Sequence, residues 1–343
     1  MSLEQTHLYL GTGQHRCFDS QGREIPCGGQ RQDGAIQAGQ TVSAPRFVVD
    51  GELVSDRLTG LQWPMQADLF LYPLRWDEAL DAVAEANAAG LAGADDWRVP
   101  NRRELRSLID HSRRKPALPK DHPFTGVHLG WYWTSTTAAI APAYAWYVHL
   151  AGGRMFFGKK TEFSLLWPVR GQLARLPRTG QTQCFDVQGE VIDCRESAQD
   201  AALQQGLPWP EVRFEPFEDG ILDRLTGLVW RRQAFEGGKL VDWSEALELA
   251  ADLAEASSRA WRLPNINELE SLVDASQSRP ALPEDHPFSG IQEAYWSSTT
   301  SGFETDWAYA LYLHKGAVGV GWKKSREFAV WCVRDREAGI TSR

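Results

Sequence analysis

No apolar run in this chain approaches the roughly 18 residues of a membrane-spanning helix, so no transmembrane segment is expected. A basic surplus is missing too. Lys and Arg number 36 against 45 Asp and Glu, a formal charge of −9. That balance argues against nucleic acid as a general partner, because phosphate contacts need a positive field. Cysteine is scarce, at five residues, with no CxxC and no paired histidine nearby, which excludes the usual zinc sites. No D-x-D-x-D-G loop occurs either, so no metal or other cofactor is expected, calcium on scattered carboxylates being the one alternative. The opening Met1-Ser2-Leu3-Glu4 has neither a basic region nor an apolar core, so no signal peptide is visible.

What the chain does have is repetition. Cys17-Phe18-Asp19 returns as Cys184-Phe185-Asp186, and Asp56-Arg57-Leu58-Thr59-Gly60-Leu61 returns as Asp223-Arg224-Leu225-Thr226-Gly227-Leu228, both at a spacing of 167 residues. The spacing falls to 164 at Trp97-Arg98 and Trp261-Arg262, and to 163 at Tyr132-Trp133 and Tyr295-Trp296. A repeat this long is a duplicated domain, since solenoid repeats run roughly 20–50 residues. Two domains are therefore expected, 7–173 and 174–338, each large enough for its own core. Residues kept in both copies should build the fold, and residues that differ are free to serve a ligand.

Cys17 and Cys27, like Cys184 and Cys194, bracket an Asp-x-Gln-Gly turn between short β-prone stretches, so each pair is expected to close a hairpin as a disulfide. Disulfides imply an oxidising compartment, with the export signal absent from this sequence. Reduced, buried thiols are the alternative, and Cys332 is expected to be a free buried one. In each copy, short strands are expected at Arg46–Val49, Leu53–Ser55 and Leu61–Trp63, then an amphipathic helix over 76–89. Asn101 with Glu104, and Asn265 with Glu268, have capping-box spacing and should open a second helix, a role that accounts for Glu104 without catalysis. Strands at Tyr132–Thr136, Tyr144–Leu150, Arg154–Gly158 and Ser164–Arg170 complete the copy, and the class is α+β.

Asp121-His122 and Asp285-His286, the histidines kept in both copies, read as rigid Pro-flanked loops rather than acid–base pairs. His7, His15, His111, His128, His149 and His314 have no histidine counterpart. Asp56, Arg57, Arg98, Asp110 and Arg170 recur as Asp223, Arg224, Arg262, Asp274 and Arg334 and suit ion networks beneath loops. Tryptophan, at 15, sorts more sharply. Trp63/Trp230, Trp76/Trp243, Trp97/Trp261, Trp133/Trp296 and Trp167/Trp331 form pairs expected in the two cores. Trp131, Trp146, Trp209, Trp307 and Trp322 are unpaired. Trp146 stands opposite Tyr309, and Trp307 opposite Tyr144. With Trp322 these could form a stacking platform on the late strands, or pack the two copies together. Lys159-Lys160 and Lys323-Lys324, beside Arg154 and Lys315, are the candidate anion contacts, or else a solvated strand edge.

The run Asp-Arg-x-Thr-Gly-Leu-x-Trp, Trp-x-Glu-Ala-Leu, Trp-Arg-x-Pro-Asn-x-x-Glu-Leu, Tyr-Trp-[Ser/Thr]-Ser-Thr-Thr and Trp-x-Val-Arg resembles one bacterial family across both copies. That family was long a domain of unknown function and is named for the C-terminal domain of the collagen-like adhesin Lcl. The order of motifs is also similar to the C-type-lectin-like superfamily, which includes the formylglycine-generating proteins. The resemblance implies two tandem C-type-lectin-like domains, each with two helices and a mainly antiparallel sheet, and binding of surface polysaccharides, sulfated ones in particular. The chain departs from the adhesin in having no Gly-X-Y stalk. It also lacks the paired active-site cysteines of the formylglycine branch and the Glu-Pro-Asn sugar–calcium triad. The expectation is therefore a non-enzymatic binding protein, periplasmic, secreted or at the cell surface, whose partner is a polysaccharide or surface macromolecule. A structural envelope protein, or a degenerate relative of formylglycine-generating enzymes, is the alternative.

Overall fold

A computed structural model describes residues 9–172, 175–195 and 197–336; His7 and the limits 7, 173, 174 and 338 of the expected domains lie outside the described residues. Along the chain run β1 (Cys17–Phe18), β2 (Glu24–Ile25), α1 (Asp33–Ile36), β3 (Phe47–Asp50), β4 (Leu53–Asp56), β5 (Gln62–Pro64), α2 (Trp76–Ala88) and α3 (Arg102–Arg106). Next come β6 (Trp131–Thr137), β7 (Tyr144–His149), β8 (Met155–Lys159), β9 (Cys184–Phe185), β10 (Val191–Ile192) and α4 (Asp200–Leu203). The second copy continues with β11 (Phe214–Phe217), β12 (Gly220–Asp223), β13 (Leu228–Trp230), α5 (Trp243–Ser257), α6 (Ile266–Ser271), β14 (Tyr295–Thr300), β15 (Trp307–Tyr312), β16 (Ala317–Trp322) and β17 (Val333–Asp335). Within each unit the paired strands run antiparallel, and with the helices this makes the class α+β.

The chain divides into two compact units, and their limits differ from those of the sequence repeat. The first unit holds Thr41–Pro208 with Asp274–Ser278. The second holds Trp209–Val273, the described residues from Arg279 onward, and those up to Gln40. The expected domains 7–173 and 174–338 are thus units of sequence, not of packing. Each compact unit has a body (from residue 41, or from 209) and a disulfide-bearing arm. The arm before the first body (9–40) belongs with the second body, and the arm at 175–208 belongs with the first. Hydrogen bonds account for this division, as shown below.

Each body repeats the same local physics. Gly60 N donates to Asp56 O at 2.8 Å, and Gly227 N to Asp223 O at 2.7 Å, in turns that need φ of +82° and +77°, where a Cβ is disfavoured. Asp56 receives Arg46 through two bonds of 2.9 and 2.7 Å, the Leu58 amide and the Thr59 hydroxyl. Asp223 receives Arg213 likewise at 3.0 and 2.9 Å. The expected capping boxes form. Asn101 accepts the Arg103 and Glu104 amides, while Glu104 returns Oε2 to Asn101 N at 2.8 Å; Asn265 and Glu268 repeat the arrangement. The other carboxylate oxygen of Glu104 accepts Arg98 at 2.6 and 3.1 Å, and Glu268 takes Arg262 through two bonds of 2.6 Å. Both glutamates are fully buried, so the Trp-Arg-x-Pro-Asn-x-x-Glu motif carries its own counterion and its own cap. The expected last strand Ser164–Arg170 is not a regular strand in the first copy; single bridges hold it at Leu74–Ser164, Tyr132–Leu165, Arg98–Val169 and Gln62–Arg170.

All ten paired tryptophans are at most 3% exposed. Trp76, Trp97 and Trp133 centre one core with Ala79, Val83 and Val99, and Trp243, Trp261 and Trp296 centre the other with Ala246, Ala250 and Leu263. Trp261→Ala should cost about 3–5 kcal/mol in urea titrations, the range for emptying a large aromatic site, whereas Trp322→Ala, at a residue 40% exposed, should stay within about 0.5 kcal/mol.

Candidate functional site

The expected platform residues divide by the alternation of their strands. In β7, Tyr144 and Trp146 lie on one sheet face, opposite Lys159 and Phe157 of β8. That face is covered. Trp146 is 2% exposed, with the Arg102 guanidinium 4.1 Å over its ring and Phe157 edge-on at 5.3 Å. Tyr309, at the same register in the second unit, is fully buried. Neither can face a ligand, because the sheet face they occupy packs inward. Tyr144 and Trp307 are half-buried at the end of that face, while Trp322, cross-strand from Trp307, and Lys159 and Lys324 are exposed. The Lys324 ammonium sits 5.8 Å over the Trp322 ring.

The lysines need one correction. Strand register equates Lys159 with Trp322, not with Lys323: Tyr144 pairs Lys159 where Trp307 pairs Trp322. The true equivalents are Lys160 and Lys323, which give their carbonyls to the Trp76 and Trp243 amides at 3.0 and 2.9 Å. Both are fully buried. Each ammonium lies 4.0 Å over that tryptophan's ring. Lys160 donates to Phe185 O and Asp186 O at 3.0 Å each; Lys323 donates to Asp19 O at 3.2 Å and to Thr300 Oγ1 at 2.9 Å. Burial pulls both down to about 7, against the opposing pull of Asp186 on Lys160 and of Asp19 and Asp306 on Lys323. They are arm clamps, not surface anion contacts.

These lysines belong to a polar network that the sequence reading missed. Asp33 Oδ2 accepts Thr12 and Thr299 hydroxyls, each at 2.7 Å, and Asp200 Oδ2 accepts Thr179 and Thr136 at the same distance. Thr299 and Thr136 in turn accept the first helical amides of α6 and α3, Ile266 N and Arg102 N, both at 3.0 Å. Gln14 donates to Thr300 O, and Gln181 to Thr137 O, both at 2.8 Å. Thr12-Gly13-Gln14 with Asp33, and Thr179-Gly180-Gln181 with Asp200, keep the 167-residue spacing, a signal present in the sequence. Burial raises Asp33 to about 7 and Asp200 to about 6, although the threonine hydroxyls act in the other direction. Glu268 pushes Asp33 further up and Arg262 opposes it, as Glu104 and Arg102 do for Asp200.

A second aromatic cluster occurs, among the described residues, in the first unit only. Trp131 stacks on Tyr147 with centroids 4.1 Å apart, and His149 and Phe156 meet it edge-on at 4.6 and 6.4 Å. Register places Ala294, Ala310, Tyr312 and Gly319 at these positions in the second unit. There Phe328 covers Trp296 at 4.6 Å, a task Tyr147 performs for Trp133 at 5.6 Å. Tyr147 therefore replaces a core side chain, while Trp131 and Phe156 are additions, and all four residues of the cluster are partly accessible.

The remaining candidates are structural. His122 and His286 stack on Phe124 and Phe288 at 5.9 and 6.0 Å, and burial lowers both. Arg170 pairs with Asp96 at 2.6 Å, and Asp110 receives the Ser112 amide and hydroxyl. Among the described residues, no group of three or more His, Cys, Asp or Glu converges as a metal site. Cys17–Cys27 and Cys184–Cys194 are disulfides with Cα atoms 5.3 and 5.4 Å apart. Such bonds characterise chains that fold outside the cytoplasm. Cys332 is free and buried, and burial pushes its thiol up.

Each copy matches the family model described as the Lcl C-terminal domain, over residues 52–170 and 219–334. These regions make up more than half of the chain, which therefore belongs to the Lcl C-terminal domain family in tandem form. Both arms lie outside them. No curated protein matches the chain.

Asp33 and Asp200 hold their protons in the fold to higher pH than in the unfolded chain. Their stabilising effect is complete below about pH 4 and is lost as pH rises through about 6 and 7. Lys160 and Lys323 act in the opposite direction and mainly above pH 7. Asp33→Asn with Asp200→Asn retains an acceptor oxygen and cannot ionise. Relative to the parent, the double variant should gain a few kcal/mol between pH 4 and pH 8, each tenfold change in proton affinity being worth about 1.4 kcal/mol. Denaturation curves with the same pH slope for parent and variant would contradict this.

Proposed function

We propose that this tandem member of the Lcl C-terminal domain family is an exported, non-catalytic binding protein that recognises a saccharide or a saccharide-bearing surface macromolecule, each body being a C-type-lectin-like domain. One observation carries the reading. Tryptophans kept in both copies are all buried, whereas four of the five unpaired ones, Trp131, Trp209, Trp307 and Trp322, keep accessible surface. Large aromatic side chains that the fold does not require, with Trp131, Trp307 and Trp322 on β6, β15 and β16, are suited to stacking on the apolar faces of sugar rings. Lys324 beside Trp322 adds a cation for an acidic sugar, and Arg154 is exposed at the start of β8. The non-catalytic part is supported by Cys332, which is buried with its thiol pushed up by that burial, a setting that disfavours the thiolate a thiol-based enzyme needs.

The two bodies differ at these positions, so they should not contribute equally. Trp322→Ala and Trp131→Ala should each weaken binding on a glycan array and in follow-up titrations, one of them by about tenfold, equivalent to about 1.4 kcal/mol, with Tm unchanged. Lys324→Ala should matter chiefly at low salt, since at about 0.15 M screening acts within roughly 8 Å. Retention of full saccharide binding by the Trp131→Ala, Trp322→Ala double variant would end this reading.

A further inference from the structure

The arms are built as ligands. Each is closed on itself by its disulfide, and each fixes its own shape with a glutamine: Gln32 holds both backbone groups of Phe18 at 2.9 Å, and Gln199 those of Phe185 at 3.1 and 3.0 Å. No covalent bond other than the main chain joins an arm to its body, among the described residues. The second body receives arm 9–40 through Thr299 on Asp33, Gln14 on Thr300 O, Lys323 on Asp19 O, Asn267 on Leu10 O at 3.0 Å, and Thr305 on Gly22 O at 2.7 Å. At Gly22, with φ of +79°, an added Cβ would meet Asp306 N at 2.7 Å, and Gly189 approaches Ala143 N equally closely in the first unit. The fit is thus a shape match as well as a polar one. It also does not depend on how the arm is tethered. Arm 175–208 follows directly from the body it docks on, whereas arm 9–40 is separated from its body by the whole of the first one. The same docking is achieved through the same contacts from two different points of attachment, so it does not require one particular tether.

We propose that the arm-docking face of the second body is an exchangeable binding site whose further ligand is arm 9–40 of a second copy of this chain, which links chains through reciprocal arm exchange. Within one chain the arm occupies its site because tethering gives it a high effective concentration, which a high concentration of chains can match. The disulfide and Gln32 pre-organise the arm, which reduces the ordering cost of binding in trans. This inference is independent of saccharide binding.

The test uses the full chain, oxidised. Two populations, one 15N-labelled, are concentrated together to about 1 mM, diluted, and read by native mass spectrometry; a concentration of this order competes with the effective concentration of a tethered arm. Mixed dimers are expected, and an excess of oxidised synthetic peptide 9–40 should dissolve them. In parallel, a protease site replaces Val42–Ala44 and is cut after folding. The cut arm should exchange with fluorescein-labelled peptide 9–40, while the same peptide carrying Asp33→Ala should bind at least about tenfold more weakly, the loss expected when the buried Thr299 hydroxyl is left without its acceptor. Absence of mixed dimers, dimers indifferent to the peptide, or equal binding of the Asp33→Ala peptide by a chain with unchanged circular dichroism would each overturn the proposal.

Discussion

A strand of serine and threonine buried on both faces has to find hydrogen-bond partners, and that requirement organises both units. Thr134–Thr137 and Ser297–Thr300 are at most 2% exposed. Burying a hydroxyl without a partner costs on the order of 1–3 kcal/mol, so a run of four depends on partners for most of them, although Thr137 Oγ1 is buried without one. Thr134 and Ser297 reach the neighbouring strand, at Trp146 O and Tyr309 O. Thr136 and Thr299 face the other way, take the first amide of the capped helix, and donate to an aspartate that only the arm supplies. The arm completes the fold where the sheet would otherwise present hydroxyls to no one.

This requirement also explains the division between conserved geometry and free surface. Each body spends its paired tryptophans and its buried Arg–Glu cap on internal contacts and its clamp lysine on the arm. The differences between copies then fall where those contacts end: Tyr147 and Ser164 against Ala310 and Phe328 rearrange one layer over the central tryptophan, and Trp131, Phe156 and Trp322 lie beyond it. A duplicated domain can hold its core constant in this way while the two surfaces diverge.

Much of this was legible in the chain itself. Spacing and residue type pointed to the capping boxes at Asn101 and Asn265, to the disulfide hairpins, to the α2 and α5 helices and to the five tryptophan pairs, because each rests on contacts within a few residues or on a repeated core position. The platform was legible only in part. Trp146 and Tyr309 alternate onto the inward sheet face, and Lys159 was aligned one position off because two adjacent lysines in each copy hid the register. What sequence could not show was which body an arm would choose. The 167-residue spacing of Thr12, Gln14 and Asp33 to Thr179, Gln181 and Asp200 is visible along the chain, but the destination depends on long-range hydroxyl partners identical in both bodies.

The account therefore stands on arm 9–40 docking on the second body, and a double-mutant cycle measures that docking most directly. Asp33→Ala and Thr299→Val, alone and together, should show a coupling energy of about 1–3 kcal/mol, the range for a hydrogen bond to a buried carboxylate. The cycle of Asp33→Ala with Thr136→Val, the equivalent threonine of the first body, should show coupling within about 0.5 kcal/mol of zero. Coupling of Asp33 to Thr136 and not to Thr299 would contradict the account.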